Sequence, residues 1–261
     1  MTSINLRVRR TIGLGDQISA LGAIHGWKQG RVNEEALFEG NDDLFVLSGL
    51  SPQEPYQYAR GAKYVNLDEA DPQHAGDRAQ HYADLMGSPR ALFPLPWPTA
   101  RTATKHGRIV FAPWCKGRAL TRSLSEAVIA EVAQKTDCLL VHHEQSSRRF
   151  EGCVDLQGRV TTLPALLECV AGSRGVIAID SGIAYFAASL GIPTVILYTH
   201  FQGHSESYTS LPWVKAFHSP HCAKPCGDFA WPNCPCWGTE RFASCSQRIT
   251  AEEILSCAFS S

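Results

Sequence analysis

The sequence predicts an α/β protein built on parallel β-sheet. Short apolar runs alternate with segments of helical periodicity over most of the chain, and the changes from strand to helix are punctuated by glycine turns, prolines or capping residues. No internal repeat interrupts this order, and 261 residues suit one large domain or two modest ones, each with its own core.

In chain order, the first strand is expected over residues 4–8, where apolar and polar side chains alternate. It runs into Gly13-Leu14-Gly15-Asp16, after which Ile18, Leu21, Ile24 and Trp27 recur at helical spacing. The apolar runs 44–47 and 64–67 mark further strand and helix units. The segment FPLPWPTAR, 93–101, is proline-rich and therefore reads as an extended, non-helical linker between residues 1–100 and 101–261.

Beyond it, residues 108–112 form a strand and 113–122 a loop. Ser123 with Glu126 reads as a capping box opening a helix that runs to about residue 135. A strand follows at 138–142, and Thr162 before Pro164 starts a helix ending near Gly172. Residues 175–179 read as a buried strand leading into Asp180-Ser181-Gly182, then a helix of small residues over 183–190, stopped by Gly191, and a strand over 193–198. Thr250 with Glu253 makes a second capping box, for a C-terminal helix.

Composition excludes several classes. With 24 Lys+Arg against 25 Asp+Glu, the net charge of −1 removes the simplest electrostatic case for a dedicated nucleic-acid binder. No apolar run approaches the roughly 20 residues that span a bilayer. The N-terminus, MTSINLRVRR, lacks the apolar stretch of a secretory signal. The expectation is a cytoplasmic protein with no membrane span.

Ten cysteines are many for such a protein. Cys115, Cys138, Cys153 and Cys169 are scattered, and Cys257 lies in the last helix. The other five are Cys222, Cys226, Cys234, Cys236 and Cys245. Cys222, Cys226, Cys236 and Cys245 supply four thiolates on a loop at 218–246, a set that suits a structural tetrahedral Zn²⁺ or Fe ion. Cys234 is an alternative to Cys236, and His218 and His221 are spare ligands. Free or disulfide-forming thiols are the competing reading.

The two glycine turns carry the binding chemistry. In parallel sheets, ligands sit beyond the carboxyl ends of strands, and each turn sets backbone N–H groups and a positive helix end beside one acidic side chain. GLGD lacks the spacing of a dinucleotide fingerprint, because residue 18 is Ile, and it lacks a Walker lysine.

The segment 154–198, VDLQGRVTTLPALLECVAGSRGVIAIDSGIAYFAASLGIPTVILY, resembles the donor-binding half of heptosyltransferase-like glycosyltransferases, family nine of the GT-B group. Their pattern there is roughly D-L-x-G, a Thr/Ser-Leu-x-x-L helix, then D-S/T-G-x-x-H-x-A-A-x-L-G-x-P. The opening R-x-x-G-L-G-D, residues 10–16, is similar to the family's N-terminal signature, as are the spaced cysteines before ITAEEI at 249–254.

This resemblance implies two Rossmann-like domains facing a cleft, with a Cys-rich C-terminal tail. Residues 1–100 would be the acceptor side, shorter than is usual in the family, and 101–261 the nucleotide-sugar side. It implies inverting transfer of a sugar from a nucleotide-diphospho-sugar to an acceptor hydroxyl, without a catalytic metal. Asp16 takes the role of general base, with helix cap as its plainer alternative. Gly13 and Gly15 belong to the binding turn. The N–H groups of Ser181, Gly182 and Ile183 face the diphosphate, while Asp180 orients the loop or a donor hydroxyl. Lys116, Arg118 and Arg122 are the cations near the phosphates, with solvated surface charge as the alternative. Glu144 would accept from ribose, or be a surface turn residue.

Tyr185 stands where the family pattern has His, and tyrosine cannot become a cation near neutral pH. The acceptor stays open among glycan, protein and modified nucleic acid. Two other classes compete. One is a non-catalytic sugar-nucleotide-binding or assembly protein of the same fold. The other is a zinc-ribbon nucleic-acid protein stacking bases on Trp213, Phe229, Trp231 and Trp237, with Lys215, Lys224, Arg241 and Arg248 as its cations.

Overall fold

The computed structural model describes residues 2–11, 13–31, 33–50, 56–69, 77–115, 122–142, 144, 148–199, 208–221 and 244–259. Among them are two parallel sheets. The first has the order β2-β1-β3, from β1 (Thr2–Arg9), β2 (Glu35–Glu39) and β3 (Tyr56–Asn66). The second has the order β6-β5-β4-β7-β8-β9, from β4 (Ile109–Ala112), β5 (Cys138–Leu140), β6 (Val154–Asp155), β7 (Gly175–Ile179), β8 (Thr194–Tyr198) and β9 (Val214–His218). Helices α1 (Leu14–Lys28), α2 (Asp42–Leu47) and α3 (Arg78–Met86) belong to the first part of the chain. They are followed by α4 (Glu126–Lys135), α5 (Leu163–Ala171), α6 (Gly182–Ser189), α7 (Ser244–Gln247) and α8 (Ala251–Phe259). No helix among the described residues is long and apolar enough to cross a membrane.

Strands β4, β5, β7 and β8 of the second sheet are buried on both faces, as continuous apolar runs require. Strand alternation divides their side chains between two cores. Ile109 and Phe111, Ile177 and Ile179, and Val195 and Leu197 point toward α4 and α8. Val110 and Ala112, Val176 and Ala178, and Ile196 and Tyr198 point the other way, into a core shared with α1, α6 and the first sheet through Leu6, Val8, Ile18 and Phe186.

The first sheet alternates instead. Ile4, Leu6 and Val8 are fully buried, while Arg7 on the opposite face pairs with Glu39 and lies 5.7 Å and 5.1 Å over the rings of Tyr58 and Tyr64.

Three local readings are corrected. Ser125, not Ser123, caps α4 by accepting from the Val128 N–H at 3.4 Å. Ser123 Oγ instead accepts from the Cys115 N–H at 3.1 Å and fixes the loop after β4. The proline segment is no free linker. Leu95 and Trp97 are buried, and the Leu95 N–H and the Trp97 indole donate to Ser189 O and Oγ at 2.7 Å and 3.2 Å. From Pro98 to Thr102 the chain closes into a 3-10 turn. By contrast, Thr162 caps α5 and Thr250–Glu253 closes a reciprocal capping box on α8, as expected.

Candidate functional site

The first glycine turn leaves β1 and enters α1. Gly13, at φ +70°, is the N-cap, a conformation that a side chain would strain. Asp16 is therefore the third residue of the helix and not its cap, which corrects that alternative. One of its carboxylate oxygens accepts from Arg10 Nη2 and the other from Arg78 Nη1. The three side chains are 12–20% exposed. Arg10 is anchored in turn on Leu67 O at 3.0 Å.

Next to it, Asp68 accepts from the Thr11 N–H and hydroxyl, both at 2.9 Å, and from Arg9 at 3.2 Å. Burial favours its neutral form, but these bonds and the charge of Arg10 outweigh burial and hold the carboxyl below its usual range. Burial, and then the Asp16 charge, push the Tyr82 phenol up to about 12.

The second turn joins β7 to α6. Asp180 is 7% exposed, accepts the Tyr185 hydroxyl on Oδ1 and accepts Arg122 Nη1 on Oδ2 at 3.2 Å. Arg122 is fixed through its own carbonyl, which accepts the Thr199 hydroxyl at 2.9 Å. Ser181 caps α6 by position, but its hydroxyl makes no cap bond and is buried without a hydrogen-bond partner. Cys115 Sγ lies 3.7 Å from Asp180 O, and burial pushes this thiol up to about 12, so it stays protonated near neutral pH.

The two turns meet. A Cβ on Gly15 would stand 2.1 Å from the Tyr185 ring, and a Cβ on Gly182 would stand 2.7 Å from Leu14 Cβ. Each glycine thus makes room for a side chain of the other turn. Tyr208 completes the junction. It is 1% exposed at φ 75°, stacks on Tyr185 at 5.0 Å and 27°, and shares a 3.0 Å hydrogen bond with Ser19 Oγ of α1.

Asp16, Gly13, Gly15, Asp180, Ser181, Gly182 and Ile183 therefore lie on two adjoining turns, and Arg122, from the loop after β4, joins them through Asp180. Glu144 is an exposed residue beyond β5 whose N–H lies 3.3 Å from His142 Nδ1. Lys116, Arg118, Cys222, Cys226, Cys234 and Cys236 fall outside the described residues, as do Phe229, Trp231 and Trp237. Cys245, on α7, is described, and its carbonyl accepts the Ser219 hydroxyl at 2.7 Å. His221 is paired with Glu253 at 3.4 Å. Among the described residues no group of three His, Cys, Asp or Glu could hold a metal.

Sequence reading missed Arg78, Ser19 and Tyr208, whose partners are distant in the chain. Arg10 stood inside the quoted R-x-x-G-L-G-D without being assigned a role.

No family model matches the sequence, and no curated protein matches it. Solved structures do match in backbone. TibC, an iron-containing dodecameric glycosyltransferase from enterotoxigenic E. coli, superposes with a TM-score of 0.67 at 15% identity, over 98% of this chain and 76% of that one. A glycosyl transferase family 9 protein from Veillonella parvula gives 0.63 at 11%, over 97% and 95%. The E. coli heptosyltransferase WaaC, solved with ADP-2-deoxy-2-fluoro heptose, gives 0.56 at 10%, over 82% and 93%. At these identities the likeness establishes a shared fold: an α/β architecture of parallel sheets common to heptosyltransferases and this chain.

Proposed function

We propose that this chain is a glycosyltransferase that moves a sugar from a nucleotide-diphospho-sugar to an acceptor hydroxyl with inversion. The reading is carried by the meeting of two turns in a fold shared with heptosyltransferases. One turn holds Asp16, and the other holds the α6 N-terminus with Arg122. In this reading residues 1–100 form the acceptor side and 101–261 the donor side.

The donor diphosphate lies at the positive end of α6, against the N–H groups of Ser181, Gly182 and Ile183. Arg122 compensates its charge, joined by Lys116 and Arg118 of the same loop, and Glu144 accepts from the ribose. The buried, unpartnered Ser181 hydroxyl supports a polar ligand here.

In the transfer step, Asp16 accepts the proton of the acceptor hydroxyl as its oxygen bonds to the anomeric carbon. The bond from that carbon to the diphosphate breaks on the opposite face, and the nucleoside diphosphate leaves with the electron pair. Asp16 is held by one guanidinium on each oxygen, and each oxygen keeps a further lone pair to accept the hydroxyl proton. No catalytic metal enters the step.

The first test is thermal shift with ADP-, UDP-, GDP- and TDP-sugars. At a hundred times the dissociation constant a ligand of the folded state stabilises by about 2.7 kcal/mol, a rise of roughly 5–10 °C for a chain of this size. No rise with any of the four overturns the donor assignment. A rise without transfer to any acceptor favours the non-catalytic binder, for which the double engagement of Asp16 and the presence of Tyr185 are the supporting observations.

We also assign a structural Zn or Fe ion to Cys222, Cys226, Cys236 and Cys245, with Cys234 as the alternative to Cys236. The Ser219–Cys245 hydrogen bond supports this, because it brings the chain just before Cys222 beside the last cysteine of the set. Bound there, the ion would fasten the tail to the second sheet, with no open position for chemistry. Elemental analysis of purified protein is expected to give about one equivalent of Zn or Fe per chain. Less than about half an equivalent removes the assignment.

A further inference from the structure

We infer that Tyr185 is a positioning residue for the donor diphosphate, acting through Asp180 on Arg122. The inference rests on the donor site proposed above and adds to it the origin of the fixed cation. In the resembled pattern a histidine stands at this position, and a histidine can carry charge itself. Tyrosine near neutral pH cannot, and the Tyr185 side chain is 9% exposed. Its contribution has to pass through a neighbour.

That neighbour is Asp180, whose two oxygens are divided between Tyr185 and Arg122. A carboxylate held on one oxygen only is free to rotate about its last bond. The Tyr185 hydroxyl removes that freedom and turns Oδ2 toward the guanidinium, 3.2 Å away. Asp180 directly precedes the α6 cap, so the guanidinium is anchored next to the first N–H groups of the helix.

Tyr185 is itself fixed from the far side. Its ring fills the space left by Gly15, stacks on Tyr208 at 5.0 Å, and Tyr208 is bonded to Ser19 of α1 at 3.0 Å. A chain of contacts thus runs from α1 through two tyrosines and one carboxylate to the cation. The ring supplies the packing and the hydroxyl supplies the aim, so Tyr185→Phe separates the two.

The test is calorimetric binding of ADP, UDP, GDP and TDP, and of the nucleoside matching the best of them, to the full chain. It compares wild type, Tyr185→Phe, Arg122→Gln and the double variant. Losing a hydrogen bond to a charged group weakens binding about tenfold, so Tyr185→Phe is expected to bind the nucleoside diphosphate about that much more weakly. Nucleoside binding is expected to stay unchanged, since the nucleoside has no phosphate to sense Arg122. In the Arg122→Gln background the same substitution is expected to have no further effect, because the two residues act as one unit.

Three results overturn the inference: unchanged diphosphate affinity in Tyr185→Phe, equal weakening of the nucleoside, or losses that multiply in the double variant. Wild-type protein that binds none of the four diphosphates overturns the donor reading itself, and this inference with it.

Discussion

Asp16→Asn is expected to slow transfer by a factor of about 10²–10⁴, the range for removing a general base, while nucleoside diphosphate affinity stays at the wild-type value. Asparagine keeps the shape and one acceptor oxygen, so the difference lies in charge and in the ability to accept a proton. The measurement is release of nucleoside diphosphate from the sugar donor that the thermal-shift screen selects, alongside calorimetric binding.

A second effect accompanies it. Arg10 and Arg78 both bind this carboxylate, and the variant leaves two guanidiniums facing one neutral amide. Hydrogen bonds to charged groups contribute about 1.5–3 kcal/mol each, so a loss of about 2 kcal/mol in stability is expected as well. The two effects are separable, because turnover is measured below the melting transition. Normal turnover would reduce Asp16 to an anchor for two arginines and sink the general-base role.

Gly15→Ala is the second large effect, and here the readout is stability. Alanine gains about 1 kcal/mol of helix propensity over glycine. Against this, the new Cβ would stand 2.1 Å and 2.7 Å from two carbons of the Tyr185 ring. The ring has little room to retreat, with Tyr208 stacked on it and its hydroxyl bound to Asp180. Overpacking of a tight contact costs about 1–3 kcal/mol or more. The clash therefore outweighs the propensity gain, and the net loss is expected to be about 1–2 kcal/mol, a fall of several degrees in melting temperature.

A double variant, Gly15→Ala with Tyr185→Ala, is expected to be less destabilised than the sum of the two single changes, because each removes the other's problem. An unchanged melting temperature for Gly15→Ala, or strict additivity, would show that the two turns do not interlock as described.

Legibility in the sequence followed burial. Four strands of the second sheet, β4, β5, β7 and β8, were readable because each is an apolar run between punctuated ends, whereas the two-residue β6 and the partly exposed edge strand β9 were not. β7, Gly175–Ile179, matches its expectation residue for residue. β3 was read only at its apolar end. The strand begins at Tyr56, on a sheet edge where Gln57, Tyr58, Arg60 and Lys63 are exposed and no apolar pattern survives. The proline segment misled because proline reports backbone shape and not burial. Leu95 and Trp97 inside it were the overlooked signal.

In the candidate site, the turns were visible and their mutual packing was not. Nothing in the sequence ties Gly15 to Tyr185 or Asp16 to Arg78, and Tyr208 sits outside every motif. These are contacts between parts of the chain that only the closed fold brings together.

The burial of the proline segment has a consequence for anyone who would recombine this protein. Leu95 and Trp97 hang from Ser189, and the Trp97 ring meets Phe186 edge-on at 5.0 Å. A graft cut at residue 100 therefore carries away part of the floor beneath α6 with the wrong half. The seam for an exchange of halves lies after Leu92, whose N–H is bound to Gly22 of α1. An exchange of halves in this chain has to move residues 93–102 together with α6.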